Sequence, residues 1–194
     1  MLGGEIQEMF VPNSNHHDAA IGAARLVSYQ RADDVPMEAA RALLTAHVTW
    51  AYDKFRDLGA PEFDVMQHVE YFFSNFDAVL PPKGAYFLAH DAEGGAVGTG
   101  SLRRVSDDVA EMKHLYVHPS YRGTGLGAAL IEARIGAARE FGVSELVADT
   151  FRGNTPMISL YHRLGFSDAE PYDSAVATIT PELIPHLRYF QMTL

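Results

Sequence analysis

The spacing of apolar residues predicts a strand and then a helix in the first part of the chain. Residues 24–30 (ARLVSYQ) have the alternating pattern of a strand. Beyond them, apolar residues recur three and four positions apart, as on one face of a helix, until the sequence GAP interrupts the pattern at residues 59–61. Asp33 or Asp34 is the expected N-cap of this helix, with Pro36 in its first turn.

The pattern of the remaining chain changes from the period of helices to that of strands and back. The expected elements are, in chain order, a second helix over 62–80, three strands joined by tight turns over 84–117, a helix after a glycine-rich loop, a strand over 143–150, a helix from Thr155 to Leu164, and short strands over 174–180 and 187–194. This order predicts an α+β fold with a mixed, mostly antiparallel sheet of about seven strands and about four helices. Residues 1–24 have no clear period and are predicted to extend a domain that covers residues 25–194.

The composition excludes several classes of protein. Hydrophobic residues make up 47% of the 194 residues, which is enough for a buried core. The formal net charge is -10 and no segment carries a basic stripe, so we expect no nucleic-acid partner. The apolar runs are too short to span a bilayer and the first ten residues are not a secretory signal, so we expect no membrane partner and a cytoplasmic location.

The residues that commonly bind metals do not form a recognisable site. The chain has no cysteine, which excludes thiolate ligands and thiolate nucleophiles. His114 and His118 are four residues apart, a spacing that brings two ligands together on a helix but not on a strand. We therefore expect no metal and interpret both histidines as structural or surface residues.

The most informative stretch is HLYVHPSYRGTGLGAALIEA, at residues 114–133. Its glycines Gly123, Gly125 and Gly127 stand between an apolar strand and a helix, where bare backbone amides and the helix dipole favour an anion. A P-loop is excluded because it needs Lys and then Ser or Thr after the last glycine, whereas two alanines follow here. A dinucleotide-binding loop fits poorly because Leu130 stands in place of its third glycine.

The spacing Arg122-x-x-Gly125-x-Gly127 resembles the coenzyme A loop of the GNAT superfamily of N-acetyltransferases, in which Arg122 would hold a phosphate or the loop itself. A second stretch, NTPMISLYHRLGF at residues 154–166, resembles the second signature of that family. The predicted order of elements over residues 25–194 is also similar to the family's. The resemblance implies a GNAT-like acyl-CoA N-acyltransferase fold, acetyl-CoA as cosubstrate without a metal, and a pyrophosphate-binding loop made of Arg122, Gly123, Thr124, Gly125, Leu126 and Gly127.

The same resemblance assigns roles to residues outside the loop. Main-chain groups of Leu115, Tyr116 and Val117 would hold the pantetheine arm and the acetyl carbonyl, and Asn154 would hydrogen-bond the pantetheine. Tyr161 matches the tyrosine that serves as general acid at the coenzyme sulfur in many members of the family. Its position in an apolar helical stripe is equally typical of a core residue, so both interpretations remain open at this point.

Glu111 is the candidate general base, since several members of the family carry a glutamate on this strand. It precedes Val117 by six residues, and strict alternation along a strand predicts that the two side chains face the same side. An exposed carboxylate paired with Lys or Arg is the alternative, and Asp149 is a second candidate base.

These residues predict an enzyme that transfers the acetyl group of acetyl-CoA directly to a primary amine of a small molecule or peptide. A non-catalytic acyl-CoA-binding regulatory protein and a nicotinamide oxidoreductase are the alternatives. The predicted first two helices are dense in aromatic residues, which suits an apolar acceptor pocket, a homodimer surface or ordinary core. The acceptor amine is therefore not determined by the sequence.

Overall fold

The computed structural model describes residues 20–21, 24–172 and 181–194, and these form one mixed sheet with helices on both faces. The strands are β1 (Ala20–Ile21), β2 (Ala24–Tyr29), β3 (Gly84–His90), β4 (Ala96–Arg104), β5 (Val109–Val117), β6 (Glu145–Phe151), β7 (Ser167–Ala169) and β8 (Leu187–Thr193). The helices are α1 (Met37–Asp57), α2 (Val65–Ser74), α3 (Leu126–Glu140) and α4 (Thr155–Arg163). The predicted α+β fold with four helices is confirmed.

The first two helices differ from their predicted bounds because side chains and prolines interrupt the backbone. Residues 32–34 form a separate 3-10 turn, and α1 begins only after Pro36, since a proline disfavours helical geometry in the residue before it. The predicted helix over 62–80 is divided into α2, capped by the Asp64 carboxylate, and a 3-10 turn over 76–79. The break falls at Asn75, whose side-chain amide donates to the Tyr71 carbonyl and so competes with the helical hydrogen bonds.

The ends of the sheet contain strands that the sequence pattern did not predict. β1 and β7 are two and three residues long, too short to show an alternating pattern. The predicted strand over 174–180 lies outside the described residues, as does most of the predicted extension over 1–24. The division of the chain at residue 24 therefore stays a prediction.

The order of strands in the sheet creates a cleft. The sequence of neighbours is β1-β2-β3-β4-β5-β6-β8-β7, and β5 and β6 are the parallel pair among otherwise antiparallel neighbours in the described sheet. They pair only from Val109 with Glu145 to Met112 with Ala148, although both strands continue beyond these residues. The edge of β5 that faces β6 is therefore left without a strand partner in the described chain after Met112.

A β-bulge in β5 lies at the mouth of this cleft. Thr99 of β4 pairs with Tyr116, but Ser101 pairs with Lys113, so one residue of β4 lies opposite two residues of β5. His114 is one of those two residues, and its φ of 53° is in the left-handed region. The single residue opposite is Gly100.

The bulge changes the face of the sheet to which successive side chains of β5 point. Before it, Ala110 and Met112 lie in the core beneath α3 and α4. After it, Leu115 and Val117 pack against that same core, whereas Tyr116 lies in the core beneath α1 and α2. The side chains of β5 that face α3 and α4 are thus at even-numbered positions before the bulge and at odd-numbered positions after it.

Candidate active site

The glycine-rich loop leaves the first turn of α3 without protein partners for its amides. Gly123 and Gly125 have φ values of 78° and 93°, a conformation that glycine adopts without a steric penalty. Gly125 is the N-cap and has no side chain with which to cap the helix, and the first helical bond runs from Ala129 N to Gly125 O at 3.1 Å. The preceding N–H groups of the helix thus remain available to an anion, which the helix dipole also favours.

Gly127 lies in the first turn of α3, close to β5 and α4. A Cβ atom at this residue would lie 3.7 Å from the Leu160 side chain and 4.0 Å from the Val117 side chain, which are ordinary contacts. The first turn of α3 therefore lies beside the end of β5 and beside α4, where the cleft between β5 and β6 opens. No described protein atom would be displaced by a side chain at this position.

Arg122 and Thr124 hold the loop in place. Arg122 Nε donates to the Val117 carbonyl at 3.1 Å, and its guanidinium carbon lies 5.5 Å from the centroid of the Trp50 ring. Thr124 Oγ1 donates to the Tyr121 carbonyl at 2.7 Å. Of the two roles expected for Arg122, these contacts support the one in which it anchors the loop to β5.

Tyr161 lies at the same end of the sheet, on the face that α3 and α4 cover. Its side chain is 3% exposed and packs against Phe166 and Phe190, with ring centroids 5.1 and 4.9 Å away. Burial raises the pKa of the phenol to about 12, while the positive charge of Arg134 acts in the opposite direction. Tyr161 is therefore a core residue by packing and is protonated at neutral pH, so its packing is compatible with either of the two expected roles.

Arg134 is a buried cation that sequence reasoning missed. Its Nε donates to the Leu130 carbonyl at 2.9 Å, its Nη1 lies 3.5 Å from the Lys113 carbonyl, and its Nη2 has no hydrogen-bond partner in the described chain. It lies against Gly100, where a Cβ would be only 3.2 Å from Nε. The sequence signal that could have revealed it is the presence of an arginine within the apolar stripe of α3. The neighbouring strand β4 has a glycine, Gly100, opposite the bulge, which leaves room for the arginine side chain.

Glu111 is in a different environment from the one expected. Because of the bulge, it lies on the sheet face opposite to Val117, and the expectation that the two share a face was wrong. Its side chain is 0% exposed and its Oε2 lies 2.7 Å from the Arg103 guanidinium. Lys113 Nζ lies 3.1 Å from Oε1, without hydrogen-bond geometry, and 2.9 Å from Asp149 Oδ2.

The negative charges of Glu111 and Asp149 are offset by the positive charges of Arg103 and Lys113. Burial alone would lower the pKa of Lys113, but the charges of Asp149 and Glu111 outweigh it and the pKa is raised above its usual value. Lys113 is therefore firmly charged, and both candidate carboxylate bases of the sequence analysis are partners of this cation. Asn154, the remaining predicted site residue, is the N-cap of α4 and donates from Nδ2 to Thr150 Oγ1 at 2.9 Å.

The two histidines of the strand have different environments. His118 is exposed and accepts a hydrogen bond from Ser120 N at 3.4 Å, as expected of a surface residue. His114 instead contacts His68 of α2, 3.1 Å away between their Nε2 atoms, and lies near His47 of α1. Across residues 20–21, 24–172 and 181–194, no three His, Asp or Glu side chains are placed to hold a metal ion.

Comparisons with known proteins agree with this geometry. The sequence profile of the acetyltransferase (GNAT) family matches residues 44–166. An uncharacterized N-acetyltransferase of Schizosaccharomyces pombe is 37% identical over 93 residues, which are 47% of this chain and 57% of that protein. The chain thus spans little more than half the length of this curated relative.

Solved structures share the fold at low sequence identity. An acetyltransferase from Streptococcus agalactiae superposes with a TM-score of 0.65 at 20% identity, over 89% of this chain and 99% of that one. A GNAT family acetyltransferase from Elizabethkingia anophelis, with acetyl-CoA bound, superposes with a TM-score of 0.59 at 17% identity, over 89% of this chain and 99% of that one.

Among the helices of the described residues, none is long and apolar enough to cross a membrane. The family profile covers both stretches on which the sequence resemblance rested, the glycine-rich loop and residues 154–166. It also covers the bulged strand β5 and Tyr161. The chain is a member of the GNAT acetyltransferase family.

Proposed function

We propose that this protein transfers the acetyl group of acetyl-CoA to a primary amine of a small molecule or peptide. The observation that carries the proposal is the unpartnered first turn of α3, which opens beside the cleft between β5 and β6. A pyrophosphate bound at this turn places the rest of an extended coenzyme along the free edge of β5. Family membership and the fold shared with an acetyl-CoA-bound relative support the choice of ligand.

The residues around the cleft fit such a coenzyme. The amides of Gly125, Leu126 and Gly127 would bind the pyrophosphate, and Gly123 and Thr124 would shape the loop that Arg122 anchors. Main-chain groups of β5 at residues 115–117 would hold the pantetheine and the acyl carbonyl, with Asn154 across the cleft. When bound, acetyl-CoA supplies an acyl group already activated as a thioester.

Tyr161 is the proposed general acid. A phenol with a pKa of about 12 stays protonated at neutral pH, so it is able to donate to a departing thiolate. Arg134, buried nearby, stabilises negative charge at this place and limits the rise of the pKa of Tyr161. Glu111 was the sequence candidate for the base, but its two cationic partners support a structural role in which it holds Lys113 and Arg103.

The proposal is tested by incubating the protein with acetyl-CoA and a panel of amines, amino acids and peptides while free thiol is measured. Thiol release that depends on the acceptor supports the transferase. Tight coenzyme binding without turnover on any amine supports the regulatory alternative, and binding of NADH but not of coenzyme A contradicts the proposal. Cytoplasmic location and homodimer formation stay predictions, which cell fractionation and light scattering test.

A further inference from the structure

A chain of polar side chains ends at the bulge of β5, on the sheet face that α1 and α2 cover. The Tyr52 hydroxyl of α1 lies 2.8 Å from His68 Nδ1, and His68 Nε2 lies 3.1 Å from His114 Nε2. Tyr52, His68 and His114 come from three different elements, so only the tertiary structure brings them together. The chain leads from the partly exposed Tyr52 to the mouth of the cleft.

The inner end of this chain is a polar atom without a partner. His114 Nδ1 is inaccessible to solvent and has no hydrogen-bond partner in the described residues. An unsatisfied buried group of this kind costs about 1–3 kcal/mol, so native structures rarely keep one unless a ligand or water satisfies it. The next residue along β5 is Leu115, whose main chain is proposed to hold the acyl group. His114 is therefore the neighbour, along β5, of the main chain proposed to hold the acyl group.

The backbone of His114 is held in an unusual conformation. Its φ of 53° is uncommon for any residue other than glycine, and such conformations concentrate at functional sites. Because of it, Lys113 and His114 both turn toward α1 and α2, instead of alternating between faces. The His114 ring packs against the Phe72 ring in a T-shaped contact, with centroids 4.8 Å apart, which restricts its rotation.

On the basis of the proposed transferase function, we propose that His114 Nδ1 is the general base that takes the proton from the acceptor amine, with His68 and Tyr52 as positioning residues. In this arrangement His114 Nε2–H donates to His68 Nε2, and His68 Nδ1–H donates to the Tyr52 oxygen. This tautomer pattern leaves the lone pair of His114 on Nδ1, whereas the reverse pattern, in which the Tyr52 hydroxyl donates to His68 and His68 donates to His114, would place a proton there.

The charges around His114 favour its neutral form. It faces His47 from α1, His68 from α2, Arg103 from β4 and Lys113 from β5, and Asp149 of β6 is held by Lys113. Burial and these cationic or neutral groups keep the pKa of His114 well below its usual value, and the pKa values of His47 and His68 are lowered to about 4. At neutral pH His114 therefore has a free lone pair.

The proposed step balances in protons and bonds. As the nitrogen of the neutral amine bonds to the acyl carbon, it becomes more acidic and loses one proton to His114 Nδ1. The carbon–sulfur bond breaks, and Tyr161 gives its hydroxyl proton to the sulfur. After the products leave, His114 loses its extra proton to water and Tyr161 regains one from water, so both residues return to their starting forms. An acceptor that arrives as an ammonium ion first releases one further proton to solvent.

The tautomers are measured by nitrogen NMR on protein labelled at histidine. We expect His114 to be protonated at Nε2 and His68 at Nδ1, and His68 to stay neutral as the pH falls to about 5. Tyr52→Phe should change the His68 signals, whereas Tyr29→Phe should not. Tyr29 is a matched control because its hydroxyl makes a similar hydrogen bond, 2.9 Å from His90 Nε2, elsewhere in the sheet. His114 protonated at Nδ1 in the free protein would overturn the proposal.

The same variants are then assayed for acetyl transfer. His114→Asn suits the left-handed backbone and should lower kcat about 100-fold or more, in the range of a lost general base. Binding of acetyl-CoA should change little, and added imidazole should restore part of the activity of His114→Gly. Tyr52→Phe should cause a smaller loss of kcat, and Tyr29→Phe none.

The outcomes separate the base from the function on which it rests. If the wild-type protein transfers no acetyl group to any amine, the proposed function fails and the base fails with it. If the wild-type protein is active and His114→Asn is equally active, or if only His47→Asn loses activity, the assignment of His114 alone is overturned.

Discussion

Replacing Gly127 with alanine tests the coenzyme site without disturbing the fold. Gly127 has ordinary helical geometry, unlike Gly125, whose φ of 93° would be strained by any side chain. The added Cβ would make only ordinary contacts, 3.7 Å from Leu160 and 4.0 Å from Val117. Alanine is favoured over glycine in a helix by up to about 1 kcal/mol, so the unfolding free energy of Gly127→Ala should be unchanged or slightly higher.

The same methyl group would occupy the space through which a phosphate approaches the first turn of α3. Loss of one hydrogen bond between an amide and a charged group costs about 1.5–3 kcal/mol. This loss corresponds to a weakening of coenzyme A binding by about 10- to 100-fold. Gly127→Ala should therefore weaken coenzyme A binding without lowering the unfolding free energy. Gly125→Ala would not separate these two quantities, because its strained backbone would affect stability as well.

The assay is calorimetric titration with coenzyme A, together with denaturant unfolding of the same samples. Gly136→Ala is the matched control, because Gly136 lies in the same helix and nothing described is within 4 Å of its added Cβ. It should gain stability in the same range and bind coenzyme A like the wild type. If Gly127→Ala binds coenzyme A with wild-type affinity, the first turn of α3 does not bind the pyrophosphate and the reasoning is refuted.

Three further predictions concern the residues around the cleft. Tyr161→Phe keeps the buried ring, so it should lower kcat about 100-fold with little change in acetyl-CoA affinity; an unchanged kcat would make Tyr161 a core residue only. Glu111→Gln removes a buried negative charge that lies against Arg103 and Lys113 and should lower the unfolding free energy by about 3 kcal/mol, whereas Asp168→Asn, which breaks an exposed pair with Arg188, should cost less than about 1 kcal/mol. Equal losses of unfolding free energy for the two variants, measured by chemical denaturation, would contradict this expectation. Because the folded pKa values of His47 and His68 are lowered to about 4, the unfolded chain binds more protons between pH 4 and 6.5, and stability should rise with pH across that window. Each histidine should contribute roughly 2 kcal/mol between pH 5 and pH 7, and unfolding curves without this slope would show that the two rings are not buried as neutral groups.

The parts of the fold that the sequence predicted are those that depend on local patterns. The meander over residues 84–117 and the helix after the glycine loop follow from alternation and from helical spacing over many residues. Boundaries failed where a single side chain decided the outcome, as at Asn75, which ends α2 through a hydrogen bond to a carbonyl four residues before it. β7 was missed because three residues carry no measurable period.

The glycine-rich loop proposed to bind the coenzyme was recognisable in the sequence because its residues are contiguous. Arg122, Gly125 and Gly127 act through a local backbone shape, and the positive φ of Gly125 is a property that glycine confers on its own position. Tyr161 was proposed in the same way, from its place in a contiguous signature.

The environments of the residues proposed for proton transfer depend on contacts that no local pattern encodes. The bulge opposite Gly100 arises from the register between β4 and β5, and it turned Glu111 away from the face predicted by strict alternation. His68 and His114 are 46 residues apart in the sequence and 3.1 Å apart in space. The sequence by itself therefore determined the family, the fold and the position of the glycine-rich loop, because these follow from local backbone preferences. Strand register and helix packing decided which side chains surround the cleft, because both depend on contacts between distant parts of the chain.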